Sequence, residues 1–268
     1  MNYRKLGKSD LKISEIGFGC MSLDENSNEK HLILEKAVDA GINFFDTADL
    51  YDKGANEQLL GKALKNVRKN IIIASKVGNQ WKQDGSGWDW NPRKSYILQA
   101  VEKSLIRLQT EYIDLYQLHG GTIDDPIDEV IETFELLVEQ GKIRYYGISS
   151  IRPNVIKEYV AKSNISSVMM QYSLLDRRPE ESCLRLLEDK QIGVLSRGGL
   201  AKGLLVNKPP KPYLSYTEEE VEKIQGLVKE INGFGTPSSK AALGFILNKR
   251  AITSAVVGIR TMDQLEEV

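Results

Sequence analysis

Eight short apolar segments alternate with helical stretches along this chain, and this alternation limits the possible folds more than any other feature of the sequence. The predicted strands are residues 16–19, 43–46, 70–76, 113–119, 144–149, 168–171, 193–196 and 254–258. The strand around Ile71, Ile72 and Ile73 is apolar throughout, as expected of parallel strands that are buried on both faces. Eight such βα units predict an α/β fold that closes into a (β/α)8 barrel, the TIM barrel.

The ends of the chain depart from this alternation. Residues 3–6 and 11–13 alternate polar and apolar positions around a Gly-Lys-Ser-Asp turn, which predicts an N-terminal β-hairpin that plugs or covers the barrel. The last helix begins near Met262 and stops with the chain at Val268, so we expect the final unit to be truncated. No repeat or low-complexity tract divides the chain, and we assign residues 1–268 to a single domain.

An open, doubly wound sheet is the alternative to the barrel. That fold carries a Gly-x-Gly-x-x-Gly turn after an early strand, but here Gly17-Phe18-Gly19 is followed by Cys20-Met21-Ser22. The missing turn favours the barrel.

Composition excludes several kinds of partner. The 36 Lys and Arg residues nearly balance the 37 Asp and Glu residues, so no net field attracts nucleic acid or an anionic membrane. No apolar run approaches the roughly 20 residues that span a bilayer, and the N-terminus lacks a signal-peptide pattern. Cys20 and Cys183 fit neither a disulfide framework nor a metal motif. We expect a cytoplasmic protein with small-molecule partners and no metal, and the sequence predicts no oligomeric state.

Four polar side chains stand at the ends of consecutive predicted strands. Asp46 ends the second strand and Tyr51 follows in its loop, while Lys76 ends the third strand and His119 the fourth. Each residue alone has an ordinary structural interpretation, as a turn residue, a packed ring or a satisfied core group. In a parallel barrel, however, all strands end at the same mouth, so these four side chains are expected to converge.

Together the four side chains predict the chemistry of carbonyl reduction. A phenol with a pKa near ~10 is a poor acid, but an adjacent Lys76 ammonium would lower the pKa of Tyr51. Asp46 would balance the charge of Lys76, and His119 could polarise a carbonyl oxygen. Such a site suits hydride transfer, provided that a cofactor brings the hydride. A lyase or aldolase with Lys76 as Schiff-base nucleophile is an alternative, although Asp46 would keep Lys76 charged.

The segment Asp46-Thr47-Ala48-Asp49-Leu50-Tyr51, together with Lys76 and His119, resembles the tetrad of the aldo-keto reductases, and the similarity runs from Tyr3 to Glu267. The resemblance implies an oxidoreductase that reduces aldehydes or ketones to alcohols with NADPH. It also implies that Tyr51 donates the proton, that Lys76 and Asp46 set its acidity, and that His119 orients the substrate carbonyl. The same fold serves as the β subunit of potassium channels, so a nucleotide-binding regulatory subunit with little turnover is the alternative function.

The resemblance further implies a set of NADPH contacts at the later strand ends. Ser149 and Gln171 would bind the nicotinamide carboxamide, Leu200 and Lys202 would line the pyrophosphate path, and Arg260 would bind the 2′-phosphate. Arg197 stands where the family often has a stacking aromatic residue, and Ser150 stands where Asn is common. The implied cofactor residues are Ser149, Ser150, Gln171, Arg197, Leu200, Lys202, Gly258, Arg260, Gln264 and Glu267. The structural alternative for Ser149 and Gln171 is that they satisfy backbone groups at strand ends.

All three tryptophans of the chain, Trp81, Trp88 and Trp90, fall in the Gly-rich loop after Lys76. This loop is expected either to cover an apolar or aromatic substrate or to pack onto the barrel, and the sequence favours neither role.

Overall fold

A computed structural model describes residues 1–23, 29–233 and 237–268 of the chain. In chain order its strands are β1 (Tyr3–Lys5), β2 (Lys12–Ser14), β3 (Ile16–Gly19), β4 (Phe44–Asp46), β5 (Ile72–Val77), β6 (Asn79–Trp81), β7 (Trp88–Trp90), β8 (Ile113–Leu118), β9 (Ile143–Ser149), β10 (Ser167–Gln171), β11 (Gly193–Arg197) and β12 (Ile252–Gly258). Its α-helices are α1 (Lys30–Asp39), α2 (Ala55–Leu64), α3 (Lys94–Leu108), α4 (Ile127–Glu139), α5 (Pro153–Lys162), α6 (Pro179–Asp189), α7 (Glu218–Asn232), α8 (Ser238–Leu247) and α9 (Met262–Glu267).

Eight of these strands close into one parallel barrel. Their order around the barrel is β3, β4, β5, β8, β9, β10, β11 and β12, which returns to β3. The predicted (β/α)8 fold is therefore confirmed. The observed third strand begins at Ile72 rather than at residue 70, because residues 65–70 extend α2 as tight 3-10 turns.

The N-terminal hairpin of β1 and β2 fills the amino-terminal end of the barrel, as predicted. Its strands pair antiparallel, and Leu6, Leu11 and Ile13 are buried among the inward-facing side chains of the barrel strands. Gly7 in the turn has a φ of +54°, and a Cβ atom there would lie 2.6 Å from the carbonyl oxygen of Ser166. Only glycine allows this left-handed turn to lie so close to the barrel backbone.

Local sequence signals explain several helix starts. Pro153 and Pro179 begin α5 and α6, where the fixed φ of proline suits the first helical turn. Thr217 and Glu220 form a reciprocal capping box at the start of α7. The Thr261 hydroxyl accepts a hydrogen bond at the start of α9, which begins at Met262 as predicted.

The alternation of side chains along the strands decides which residues face the barrel mouth. Phe44, Ala74, Leu115, Met169 and Leu195 form an inward-facing layer of the barrel core. The residue two positions later on each strand points the same way and lies nearer the carboxyl end. Those residues are Asp46, Lys76, Gln117, Gln171 and Arg197. Four of the five are predicted site residues.

Within the three described ranges, no helix has both the length and the apolar composition needed to cross a membrane. The same ranges contain no group of three or more His, Cys, Asp or Glu side chains placed to hold a metal ion.

Candidate active site

The Lys76 ammonium is the centre of a buried site at the mouth of the barrel. Its Nζ donates hydrogen bonds to Asp46 Oδ2 at 2.7 Å, to the Thr47 carbonyl oxygen at 2.8 Å and to Tyr51 Oη at 3.2 Å. β4 and β5 are neighbouring parallel strands, and this pairing brings Asp46 beside Lys76. The structure thus places three of the four predicted residues in direct contact.

Lys76 is only 1% exposed, so its charge depends on its neighbours. Burial alone would lower the pKa of the Lys76 ammonium, but the Asp46 carboxylate and the Tyr51 hydroxyl outweigh burial and raise it above its ordinary value. Burial raises the pKa of the Asp46 carboxyl, and Lys76 opposes that rise. The contacts hold Lys76 as a cation rather than as a free amine.

Tyr51 reaches the site from a sharp turn that follows β4. Tyr51 begins the 3-10 segment Tyr51–Gly54, in which Asp52, Lys53 and Gly54 have φ angles of 50°, 53° and 91°. Two successive non-glycine residues in the left-handed region are strained, and such strain is found where surrounding contacts hold a functional loop in place. Lys53 Nζ lies 5.1 Å from the centre of the Trp81 ring, which is one of those contacts.

The acidity of Tyr51 differs from the sequence-based expectation. The Lys76 ammonium does pull the pKa of the Tyr51 phenol down, but burial is the larger effect and raises that pKa above its ordinary value. Tyr51 therefore keeps its proton at neutral pH, with a cation beside it that would stabilise the phenolate once the proton leaves.

His119 completes the group from the end of β8. Its ring meets the Tyr51 ring edge to face, with centroids 5.7 Å apart, and its backbone N–H donates to the Val77 carbonyl oxygen at 2.7 Å. Burial, assisted by the charges of Lys76 and Arg197, lowers the pKa of His119 to about 3. The imidazole is therefore neutral at physiological pH, and its buried Nδ1 finds no hydrogen-bond partner among the described residues. We call Asp46, Tyr51, Lys76 and His119 the tetrad.

The predicted cofactor residues line the other half of the mouth. Ser149, Gln171, Arg197 and Gly258 end the adjacent strands β9, β10, β11 and β12. Arg197 Nη1 donates to Gln171 Oε1 at 3.2 Å, so the structure brings these two predicted residues together. The Gln171 Nε2 in turn donates to the Tyr213 hydroxyl at 3.2 Å.

The remaining predicted cofactor residues are dispersed along the rim. The Ser150 hydroxyl accepts from the backbone N–H of Arg152 at 3.2 Å, a bond that helps to start α5. The Gln264 side chain accepts from the Arg260 N–H at 2.9 Å, and the Glu267 carbonyl accepts from Ser239. Leu200 is partly buried against the core, whereas Lys202 is exposed. The cofactor roles of these residues stay predictions.

The donor set of this half fits a nicotinamide dinucleotide. Gln171 and Ser149 offer the amide and hydroxyl groups that a carboxamide can bind, and Arg197, Lys202 and Arg260 offer exposed cations for phosphate oxygens. Gly258 ends β12 beside the Ser22 side chain, because a Cβ atom at Gly258 would lie 2.2 Å from the Ser22 Oγ. The groups face the same mouth as the tetrad, because all the barrel strands are parallel.

The tryptophan loop contains a two-stranded antiparallel hairpin, β6 paired with β7, which we did not predict. Trp90 packs the hairpin onto the barrel. Its Nε1 donates to Asp125 at 2.9 Å, and a Cβ atom at Gly78 would lie 2.5 Å from its ring. Trp81 Nε1 donates to the Leu50 carbonyl oxygen at 3.2 Å, whereas Trp88 is 49% exposed. Two of the three tryptophans thus anchor the hairpin.

Three residues that contact the site were not singled out from the sequence. Tyr213 reaches Gln171 from the Pro-rich connection before α7, while Tyr96 and Asn79 lie between the Tyr51 and His119 loops. Tyr96 and Tyr213 lie away from the strand ends, and Asn79 begins the hairpin after β5, so only the three-dimensional contacts reveal their link to the site.

Comparisons with known proteins agree on one family. A family model described as the aldo/keto reductase family matches residues 15–268. An oxidoreductase from Bacillus subtilis, YqkF, is 54% identical over 276 residues, which cover 100% of this chain and 90% of the relative. A probable aldo-keto reductase from Glycine max is 32% identical and covers 98% and 82% of the two chains. The holo structure of aldo-keto reductase AKR11C1 from Bacillus halodurans superposes with a TM-score of 0.93 at 51% identity, over 99% of this chain and 89% of that chain.

Proposed function

The chain belongs to the aldo-keto reductase family, and from this premise we propose that it reduces aldehydes or ketones to alcohols with NADPH, with Tyr51 as the proton donor. Family membership itself implies NAD(P)H-dependent oxidoreduction of small-molecule carbonyl compounds. The observation that supports the finer proposal is the contact of 3.2 Å between Lys76 Nζ and Tyr51 Oη, beside an Asp46 carboxylate that holds Lys76 charged.

The proposed reaction uses His119, Tyr51 and Lys76 directly, while Asp46 keeps Lys76 charged. The neutral His119 imidazole donates a hydrogen bond to the substrate carbonyl oxygen and turns the carbonyl toward Tyr51. The Tyr51 hydroxyl transfers its proton to that oxygen, and the Lys76 ammonium stabilises the phenolate that remains. When bound, the nicotinamide supplies the hydride that the carbonyl carbon requires.

The residues that would hold the cofactor are those at the ends of β9 to β12. We assign the carboxamide to Ser149 and Gln171, and the 2′-phosphate to Arg260, because a guanidinium group can donate to two phosphate oxygens. Ser150, Arg197, Leu200, Lys202, Gly258, Gln264 and Glu267 complete the proposed cofactor contacts.

The two alternatives predicted from the sequence are less well supported. A Schiff-base mechanism needs a neutral Lys76 amine, whereas three hydrogen bonds occupy its ammonium and its pKa is raised. A regulatory subunit with little turnover is not favoured either, because the similar proteins described above are an oxidoreductase and aldo-keto reductases.

The replacement Tyr51→Phe tests the assignment of the proton donor. A panel of aldehydes, ketones and quinones is mixed with the protein, and the loss of NADPH absorbance is followed. We expect kcat to fall by about 10²- to 10⁴-fold, because a positioned acid contributes about that much, while the Kd for NADPH stays within about twofold.

Tyr3→Phe is the matched control, because it removes a hydroxyl that donates to Gly41 at the opposite end of the barrel. A Tyr51→Phe variant that reduces aldehydes at the parental rate refutes the proton-donor role. If the unmodified protein reduces no compound of the panel, the proposed activity itself is wrong.

A further inference from the structure

A chain of hydrogen bonds that the proposed reaction does not use links the Tyr51 loop to the His119 loop. Asp49 is a buried residue two positions before Tyr51, and its Oδ2 accepts from the Tyr96 hydroxyl at 3.2 Å. The Tyr96 hydroxyl also lies 3.2 Å from the Asn79 carbonyl oxygen. The Asn79 Nδ2 donates to the carbonyl oxygen of His119 at 3.3 Å. This path therefore begins two residues before Tyr51, the proposed acid, and ends at His119, which would bind the substrate carbonyl.

If Asp49 is ionised, this hydrogen-bonded path has one hydrogen atom too few to form all of its bonds. The Tyr96 hydroxyl carries a single hydrogen but lies within reach of two acceptors, Asp49 Oδ2 and the Asn79 oxygen. The other carboxyl oxygen, Asp49 Oδ1, is buried and finds no partner in the part of the chain that the structure describes. A protonated Asp49 would donate to the Tyr96 hydroxyl, and Tyr96 could then donate to the Asn79 carbonyl oxygen, so that both of these contacts become hydrogen bonds at the same time.

We propose that Asp49, Tyr96 and Asn79 form a positioning relay between the Tyr51 and His119 loops, and that the relay is complete only while Asp49 carries a proton. None of the three residues is given a chemical step. The relay sets the placement of the two groups that hold the carbonyl, so this inference rests on the proposed function.

The charges around Asp49 favour its protonated form. Glu57 from α2 is fully buried and pairs at 2.6 Å with the Arg107 guanidinium from α3, which also attracts Asp49. Tyr96 from α3 and Tyr116 from β8 are neutral phenols that face the same space. Burial, followed by repulsion from Glu57, raises the pKa of Asp49 to about 7. The relay would therefore be complete in weak acid and would be lost as pH rises through neutrality.

Other hydrogen bonds, which do not pass through the relay, also hold the Tyr51 loop in place. Trp81 Nε1 donates to the Leu50 carbonyl oxygen at 3.2 Å, and the Asp49 N–H donates to the Lys76 carbonyl oxygen at 3.3 Å. These bonds do not change when Asp49 loses its proton. We therefore expect loss of the relay to slow the reaction severalfold rather than to abolish it.

The test compares kcat for NADPH-dependent aldehyde reduction between pH 6 and pH 8.5 in the wild type, Asp49→Asn and Tyr96→Phe. An Asn amide donates to Tyr96 at every pH, so Asp49→Asn should remain flat where the wild type falls about fivefold, the effect of losing one neutral hydrogen bond. Tyr96→Phe breaks the relay at every pH and should be about fivefold slower at pH 6, with no further fall. Ionisation of Tyr51 does not interfere, because its pKa lies above the range.

Tyr159→Phe is the control, because it removes a buried hydroxyl that finds no partner within the described ranges, and it should keep the wild-type profile. Infrared difference spectra follow the Asp49 proton without any turnover. The carbonyl stretch of a protonated carboxylic acid should appear at pH 6, disappear at pH 8.5 and be missing from Asp49→Asn.

The relay is overturned if Asp49→Asn falls with pH as the wild type does, or if the infrared band is missing at pH 6. A wild type that reduces no aldehyde at any pH contradicts the proposed function instead, and the infrared band then still decides whether Asp49 holds the proton.

Discussion

The two halves of the barrel mouth are built in opposite ways. The half formed by the ends of β4, β5 and β8 buries its charged groups, and bonds of 2.7 to 3.2 Å join Lys76 to Asp46 and Tyr51. The half formed by β9 to β12 leaves the guanidinium groups of Arg197 and Arg260 exposed. The protein thus assembles the proposed proton chemistry in advance and keeps the proposed cofactor side open to solvent.

The difference follows from what each half is proposed to do. A proton donor and its partners stabilise developing charge best when they are held in place before the reaction begins. A large anionic ligand needs cations that it can reach from solvent, and its binding can order side chains that are mobile beforehand. Substitutions in the first half should therefore affect stability, and substitutions in the second half should affect ligand binding.

The largest difference is expected from a matched pair of methionine substitutions. Lys76→Met leaves the Asp46 carboxylate buried without its partner and should destabilise the fold by about 3–5 kcal/mol. Arg197→Met removes an exposed group that bonds Gln171 and should cost less than about 0.5 kcal/mol. Urea denaturation at pH 7 measures both free energies of unfolding.

The double variant Asp46→Asn/Lys76→Met is the control, because it removes both charges and should recover most of the loss. Equal destabilisation by Lys76→Met and Arg197→Met would show that the two halves do not differ in this way.

A smaller effect concerns the pH dependence of stability that His119 contributes. The pKa of His119 is about 3 in the folded protein and near ~6.5 in the unfolded chain. As pH falls, the unfolded chain protonates His119 before the folded protein does. The stability that His119 contributes is therefore largest well above pH 6.5 and decreases as pH falls below that value. Between pH 6.5 and pH 4.5 the wild type should lose about 2.3 kcal/mol more stability than His119→Gln, because each pH unit well below 6.5 costs about 1.36 kcal/mol.

Urea denaturation at pH 6.5, 5.5 and 4.5 measures this difference, and carboxylates common to both proteins cancel. His31→Gln, which removes the histidine of the outer helix α1, should keep the wild-type slope. Parallel slopes for the wild type and His119→Gln would mean that His119 is not held neutral by its surroundings.

The tetrad was accessible from the sequence because it depends on a repeating geometry. Apolar segments of similar length predict parallel strands, parallel strands end at one mouth, and Asp46, Lys76 and His119 stand at or next to those ends. No pairing between distant side chains had to be known. Gln171 and Arg197 were instead predicted from the family resemblance, and in the structure they end two adjacent strands and meet.

What the sequence did not show depends on contacts between segments without such a repeat. We did not predict the hairpin of β6 and β7, although Trp88 and Trp90 alternate with Asp89 after an Asp84-Gly85 turn signal. Its position depends on the fit of Trp90 against Gly78. Tyr96 lies on α3 and meets Asp49 only because the barrel brings the two together. The direction of the pKa shift of Tyr51 was also not predicted, because it depends on how deeply the folded protein buries the Tyr51 side chain.

The smallest effect, on the cofactor half, tests the specificity that we assign to Arg260. NADPH and NADH differ only in the 2′-phosphate, so Arg260→Ala should weaken NADPH binding about tenfold and leave NADH binding nearly unchanged. Lys202→Ala is the matched control, because both cofactors carry the pyrophosphate near which we place Lys202, and it should weaken both by a similar factor. Titration of the fluorescence of each reduced cofactor gives the four Kd ratios. Equal affinity of the unmodified protein for NADPH and NADH would remove the role of Arg260, while the buried half of the mouth would keep its proposed chemistry.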